Sequence, residues 1–397
     1  MNGIKSFIVD VSSLIRDHGL LMVLFLIAQF SISTIAIHMY VKDVFCLVTI
    51  FSIYNKYRNV NNLGLLFFFC VINYLLMLSG KVINSQFEMF SLLIGPIAYY
   101  IFGYHTMNNI RSCKDFDVFL LLTIVSSSFM LWYNNIVDSE EVGFLNVTRA
   151  VLNDAGIEEQ SATLQGMLAA IAISGLSYPI SHQRLISVKS LLFFVSGLLS
   201  LFCVLHLINR SGLIILCVVV SLSLLYNKKI RVSYILLWGI FFFIVYSILV
   251  HYNEINDNIT SAYKDRDDME GQSVNSAGGR FVIWTKSLKL MWEYPYGWVN
   301  TKISGYCHNL WLDVARCVGI FPAFILVIYS LRNYYNVYIL FKIKNNYINC
   351  VFVCVNISLF LAAFVEPVLE AISTFFYLMC MYWGMQQAYI NRRFKIE

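Results

Sequence analysis

The stretch GGRFVIWTKSLKLMWEYPYGWVNTKISGYCHNLWLDVARCVGIFP, Gly278 to Pro322, decides how the rest of the chain is read. It sets Arg280 behind two glycines, makes a Pro-x-Gly turn at Pro295 and Gly297, and opens an apolar segment with His308 and Asn309. Arg280, Lys286, Lys289, Lys302 and His308 collect in this one polar stretch, while the sequence on either side is apolar enough for a bilayer. Cations gathered in this way are expected to act on an anionic substrate, here one held in the membrane by a lipid.

Working outward, the composition supports a membrane setting. The 397 residues are 59% hydrophobic and 13% charged, with a mean hydropathy of +0.68. Soluble domains carry about 25% charged residues. Five prolines leave room for long helices. The first apolar run, near residues 19–38, has the length of a span and no small-residue cleavage site after it, so no cleaved signal peptide is expected. Ten cysteines, most of them inside apolar runs, show no metal-ligand spacing and read as small buried hydrophobes. No metal site and no cofactor are expected.

These features predict an all-α polytopic membrane protein of about twelve transmembrane helices, a single domain over residues 1–397. The spans centre on 19–38, 40–55, 62–80, 87–104, 116–133, 162–180, 188–208, 211–227, 232–250, 308–331, 347–365 and 370–390. Lys5 and Arg16 precede the first span. Lys56 and Arg58, Arg111 and Lys114, Arg184 and Lys189, Lys228, Lys229 and Arg231, Arg332, Lys342 and Lys344, and finally Arg392, Arg393 and Lys395 mark alternate connections. By the positive-inside rule those connections and both termini are cytoplasmic.

Two connections stand out on the opposite, outer side. Residues 134–161 are acidic, and residues 251–307, between the ninth and tenth spans, form the longest polar region. Loops of this length tend to be functional or disordered. Within the second, Ile283, Trp284, Leu288 and Trp292 recur at helical spacing with Lys286 and Lys289 opposite them, which predicts an amphipathic helix on the membrane surface.

Several side chains could carry chemistry. Arg210, in Asn209-Arg210-Ser211-Gly212, sits where the outer ends of spans seven and eight meet; its planar fork suits two-point contact with phosphate, and headgroup snorkelling is the plain alternative. Arg280, at a helix start behind glycines, also suits a phosphate or pyrophosphate. His308 can take or give a proton near neutrality. Asp313 and Arg316, three apart in an apolar run, read as a mutually neutralising pair or as support for the site. Glu366 and Glu370, flanking Pro367, read as helix caps or as contacts to an acceptor hydroxyl. The Asp265-x-Asp267 pair, offset by Lys264 and Arg266, reads as a solvated charge cluster.

With these residues the chain resembles a family. His308-Asn309, nine residues, then Gly319 is similar to the signature shared by bacterial O-antigen ligases and Wzy-type O-antigen polymerases. The family's preceding Gly-Arg, tryptophan and Pro-x-Gly correspond to Gly279-Arg280, Trp284 and Pro295-x-Gly297, and Asn209-Arg210-Ser211-Gly212 corresponds to its Arg element between two spans. Pro322 departs from the residues usual three places after the glycine. The motifs cover roughly residues 187–331; elsewhere the likeness is one of hydropathy.

The resemblance implies metal-independent, inverting glycosyl transfer from an undecaprenyl-pyrophosphate-linked glycan on the periplasmic face of the inner membrane. Arg210 and Arg280 would hold the pyrophosphate, His308 would orient or deprotonate the acceptor hydroxyl, and Asn309, Lys286 and Lys289 would help to bind substrate. A polymerase would join lipid-linked repeat units; a ligase would move the glycan to lipid A-core. The compact interval from Arg280 to His308 and the departure at Pro322 favour polymerase. A chain-length regulator and a flippase are the protein partners this implies, and no nucleic acid is expected. A transporter of lipid-linked glycans is the reading from a different class; the chain lacks the two related halves common in transporters.

Overall fold

The computed structural model describes residues 2–31, 35–80, 86–142, 150–152, 159–182, 187–207, 209–226, 279–301, 305–343, 346–366, 368 and 373–393. The expected ninth span, Lys302, Glu370, the Asp265–Asp267 cluster and most of the long outer connection lie outside them.

The described chain is helical apart from one short antiparallel pair. Helices α1 (Asn2–Phe30), α2 (Ile35–Tyr57), α3 (Leu63–Gly80), α4 (Gln86–Asn109) and α5 (Cys113–Val142) come first. Strands β1 (Ala150–Leu152) and β2 (Glu159–Ser161) follow in the acidic connection, with Val151 opposite Gln160. Then come α6 (Ala162–Ser174), α7 (Ser177–Ser181), α8 (Val188–His206), α9 (Arg210–Tyr226), α10 (Arg280–Glu293), α11 (Leu310–Val318), α12 (Ile320–Lys342), α13 (Tyr347–Val365) and α14 (Ser373–Arg393). Four of them, α1, α5, α8 and α13, contain stretches long and apolar enough to cross a membrane. The chain is a multi-pass membrane protein on this basis.

Small residues let the helices close up. A Cβ on Gly103 of α4 would run into the Met381 carbonyl, and one on Gly384 of α14 into the Tyr100 carbonyl. Without a solvent-driven hydrophobic force inside lipid, such close backbone approach supplies the dispersion contact that joins helices. One group of helices, α1 to α5 with α14, packs around α4; a second, α6, α8, α9 and α13, packs beside α5.

Three expectations need correction. The first apolar run is not one span over 19–38: α1 is kinked at Gly19 (φ 57°) and ends at Phe30, and α2 runs from Ile35 to Tyr57, beyond the expected 40–55 at both ends. Span six divides into α6 and α7. The expected continuous span 308–331 is broken at Gly319, where φ is 95°, so α11 and α12 are separate helices. An L side chain is strained at that dihedral, and a Cβ would collide with the Pro295 carbonyl.

The polar ends of the bundle segregate. Lys189 reaches Asp10 at 3.1 Å and the Lys114 carbonyl at 3.3 Å, and Arg392 donates to the carbonyls of Ile110 and Met107. These residues belong to the connections read as cytoplasmic. The opposite ends of α8 and α5 are joined by His206 and Asp138, 2.8 Å apart. At that second end the starts of α9, α10 and α11 gather against the end of α13.

Candidate functional site

Each element reaches this end by a local rule. Asn209 caps α9, its Oδ1 accepting from the Gly212 amide (2.9 Å) and the Ser211 hydroxyl (2.6 Å). A Cβ on Gly166 of α6 would overlap the Asn209 amide, so a small residue in α6 is what admits that cap. Arg210 and Ser211 are thereby the first two residues of α9. Arg280 is likewise the first residue of α10, behind Gly279, whose φ of 81° only glycine adopts freely.

Helix α10 is pinned to the protein by its inward face. Trp284 Nε1 donates to the Cys307 carbonyl (3.0 Å), its ring lies 5.0 Å from Phe364, and the Ser287 hydroxyl donates to Cys307 Sγ (3.2 Å). The expected amphipathic face is therefore divided: Ile283 and Trp284 pack inward, while Leu288 and Trp292 are exposed. Lys286 and Lys289 line a shallow exposed cleft with Phe281, Val282 and Thr285.

His308 has an uncommon backbone conformation with a visible cause. The Asp313 carboxylate accepts from the amides on either side of it, Cys307 at 2.7 Å and Asn309 at 3.2 Å. Held at both flanks, His308 takes φ 51°, a left-handed conformation costly to a residue with a Cβ and concentrated at functional sites. Asp313 is fully buried. Arg316 lies 5.6 Å from the Tyr306 ring, and its main-chain carbonyl accepts from Trp298 and Val299.

Asn309, expected to contact substrate, has both ends of its amide engaged within the protein. Oδ1 accepts from Trp311 and Leu312 as the cap of α11, and Nδ2 donates to the Phe364 carbonyl (3.1 Å). The Pro-x-Gly turn and the signature glycine prove to be one construction. Ile320 N donates to the Pro295 carbonyl (2.9 Å) and Trp298 N to the Arg316 carbonyl (2.8 Å), with Gly297 and Gly319 both at positive φ where the two segments touch.

The centre of the cluster is Glu366, read above as a helix cap or a contact to an acceptor hydroxyl rather than as a partner of the arginines. It follows the last residue of α13 in extended conformation (φ −131°, ψ 152°), as a residue before proline prefers. Its carboxylate is 3% exposed at residue level. Arg280 Nη2 lies 3.3 Å from each oxygen, Ser211 Oγ, whose proton is shared with Asn209 Oδ1, lies 3.1 Å from Oε1, and His308 Nδ1 is 3.9 Å from Oε2. The structure thus brings together Arg280, His308 and Ser211, with Arg210 adjacent in the chain; Lys286 and Lys289 occupy a different, exposed face. Two buried donors or acceptors, Arg280 Nε and His308 Nδ1, have no hydrogen-bond partner among the described residues.

An arginine, a histidine and three helix starts around a buried carboxylate make a setting able to hold an anion, since helix N-termini carry positive partial charge. A family model described as O-antigen ligase matches residues 195–328, from within α8 into α12. The matched segment contains Arg210, Ser211, Arg280, His308 and Gly319, and leaves Glu366 outside. No curated protein matches the chain. Over residues 195–328 the chain is similar to the O-antigen ligase family.

Proposed function

We propose that the chain is an O-antigen polymerase, joining undecaprenyl-pyrophosphate-linked repeat units on the periplasmic face of the inner membrane, with both termini cytoplasmic. The observation that carries this reading is the meeting of Arg280, His308 and Ser211 at one buried carboxylate, with Arg280 Nε and His308 Nδ1 unbonded among the described residues. Leaving a buried polar atom unpaired costs about 1–3 kcal/mol, so unpaired groups at a shared centre suit a ligand that completes them.

In the reaction the acceptor hydroxyl oxygen bonds to the anomeric carbon of the donor glycan as the bond from that carbon to the pyrophosphate oxygen breaks. Attack from the opposite face inverts the configuration. The electron pair leaves with the pyrophosphate, and the hydroxyl proton passes to the His308 imidazole. Arg280 and Arg210 neutralise the departing charge, at a membrane-embedded site where fixed charge acts more strongly than in water. Lys286 and Lys289, exposed on α10, attract the anionic donor. A flippase that delivers the donor and a chain-length regulator are the partners this reaction calls for.

Ligation to lipid A-core is the second reading, favoured by the description of the matching family model. The short interval from Arg280 to His308 supports polymerase. Pro322 bears on neither, because it lies in the first turn of α12, where proline loses no helical hydrogen bond. Deleting the gene and restoring it on a plasmid separates the two. Loss of the lipopolysaccharide ladder, with a single repeat unit left on the core, is the expected result. Accumulated long lipid-linked chains with none on the core would identify a ligase, and an unchanged ladder would overturn both.

A further inference from the structure

We propose that Glu366 is the resident counter-ion of the anion site: the donor's diphosphate displaces it from Arg280, and the released carboxylate then positions His308. This inference rests on the donor chemistry proposed above and adds a residue and an order of events to it.

The position of Glu366 is unfavourable for a carboxylate unless something compensates it. It closes α13, where the helix dipole is negative, and it is buried. Compensation comes from three segments far away in sequence: Ser211 in the first turn of α9, Arg280 at the start of α10, and His308 just before the cap of α11. An arrangement able to bind an external anion therefore already holds one that belongs to the chain.

The hold on Arg280 is incomplete. Both carboxylate oxygens approach the same nitrogen, Nη2, at 3.3 Å. Charge-assisted bonds at their strongest run about 2.7–2.9 Å, with two guanidinium nitrogens used in parallel. Arg280 Nε remains buried and unbonded among the described residues. A diphosphate can engage that nitrogen as well, which a carboxylate sitting on Nη2 does not, and its greater charge favours the exchange.

His308 is incomplete in the complementary sense. Its Nδ1 stands 3.9 Å from Glu366 Oε2, beyond the roughly 2.7–3.2 Å of a hydrogen bond. Among the described residues, the charged and titratable groups around it include Glu366 from the end of α13, Arg280 from α10, Tyr306 beside it in its own loop, and Asp313 beneath its backbone. Once Arg280 turns to the diphosphate, Ser211 and His308 are the partners that remain for the carboxylate. A shift of about 1 Å closes the gap to a bond. A carboxylate on one ring nitrogen fixes the tautomer and orientation of the imidazole and steadies the cation it becomes on taking a proton. Glu366 is thus a positioning residue, and donor binding prepares His308 for the acceptor.

The test measures binding and product separately, because the proposal moves them in opposite directions. Undecaprenyl diphosphate in nanodiscs is titrated against the purified full chain, and glycan product is measured in the deletion host at matched membrane levels. Glu366→Gln is expected to bind undecaprenyl diphosphate about tenfold more tightly and to make less than a tenth of the product. Glu366→Asp, which keeps the charge but shortens its reach, gives the same split more weakly and serves if the glutamine variant does not insert. A merely structural role would lower binding and product together, and that result overturns the proposal, as does wild-type behaviour in both assays. If the wild-type chain neither binds the lipid diphosphate nor restores product, the donor reading itself fails and this inference with it.

Discussion

One helix connects two polar clusters built on different terms. Tyr347 opens α13 at one end and Glu366 follows its last residue at the other, nineteen residues or about 28 Å apart along the axis. At the first end Asp117 is fully mated: Tyr178 donates to one oxygen at 3.0 Å and Tyr347 to the other at 2.9 Å. Asn346 caps the helix and also donates to Tyr389. At the second end the carboxylate sits 3.3 Å from Arg280 and 3.9 Å from His308, and the atoms left over among the described residues are on those neighbours. The same residue types that fasten helices at one end are held short of saturation at the other. Saturated polar clusters add rigidity, whereas undersaturated ones retain capacity for something not yet bound.

If that contrast is functional, substitutions at the two ends must fail in different ways. The largest effects belong to the unsaturated end. His308→Ala is expected to cut product by about 10²–10⁴-fold, the scale of a lost general base, with the protein inserted at its normal level. Arg280→Lys keeps the charge and loses the fork, and is expected to lower product by about 10²-fold. Lipopolysaccharide gels alongside a membrane immunoblot read both, and full activity in either variant would place the chemistry elsewhere. Gly319→Ala comes next. It forces a side chain into positive φ, at about 1–2 kcal/mol, and against the Pro295 carbonyl. A fall of several degrees in the detergent unfolding temperature is expected, with about tenfold less product, because the turn that aligns α10 with α11 is pushed apart. Unchanged stability would mean that this junction yields easily.

Much of the bundle was legible in the sequence, and the exceptions have physical reasons. The expected span 347–365 coincides with α13, and spans seven and eight with α8 and α9 to within two residues, because basic or polar residues bound clean apolar runs. The break at Gly319 was hidden inside a continuous apolar run: hydropathy records what a residue prefers to touch and not the direction its backbone takes. The division of α10 was hidden for a related reason. Protein and lipid are both apolar, so helical spacing alone does not tell Trp284, which faces the protein, from Trp292, which does not. Arg280 and His308 could be singled out because charged and titratable side chains in a lipid setting are rare. The role of Glu366 lay beyond reach, since its partners come from positions 86 and 155 residues away. The one local signal was a glutamate before proline at the end of an apolar run.

The smaller predictions sit at the saturated end and test the other half of the contrast. Asp117→Asn removes the charge from two tyrosine hydrogen bonds while keeping the shape, which should cost about 1–3 kcal/mol of stability. Product per inserted molecule should stay at the wild-type level, as thermal unfolding and ladder intensity at matched membrane levels would read. The smallest effect is expected from Asp10→Asn. The Lys189–Asp10 pair is 3.1 Å long, but its side chains keep 15% and 20% of their exposure. Lys189 also retains the Lys114 carbonyl when the pair is lost. An ion pair with partial access to solvent is screened, and exposed pairs contribute about 0.2–1 kcal/mol and less as salt rises. The variant should therefore unfold within a degree or two of the wild type, and the two should converge in high salt. A loss of product without loss of protein in either variant would mean that the saturated end also serves the reaction. The contrast between the two ends would then be one of geometry alone.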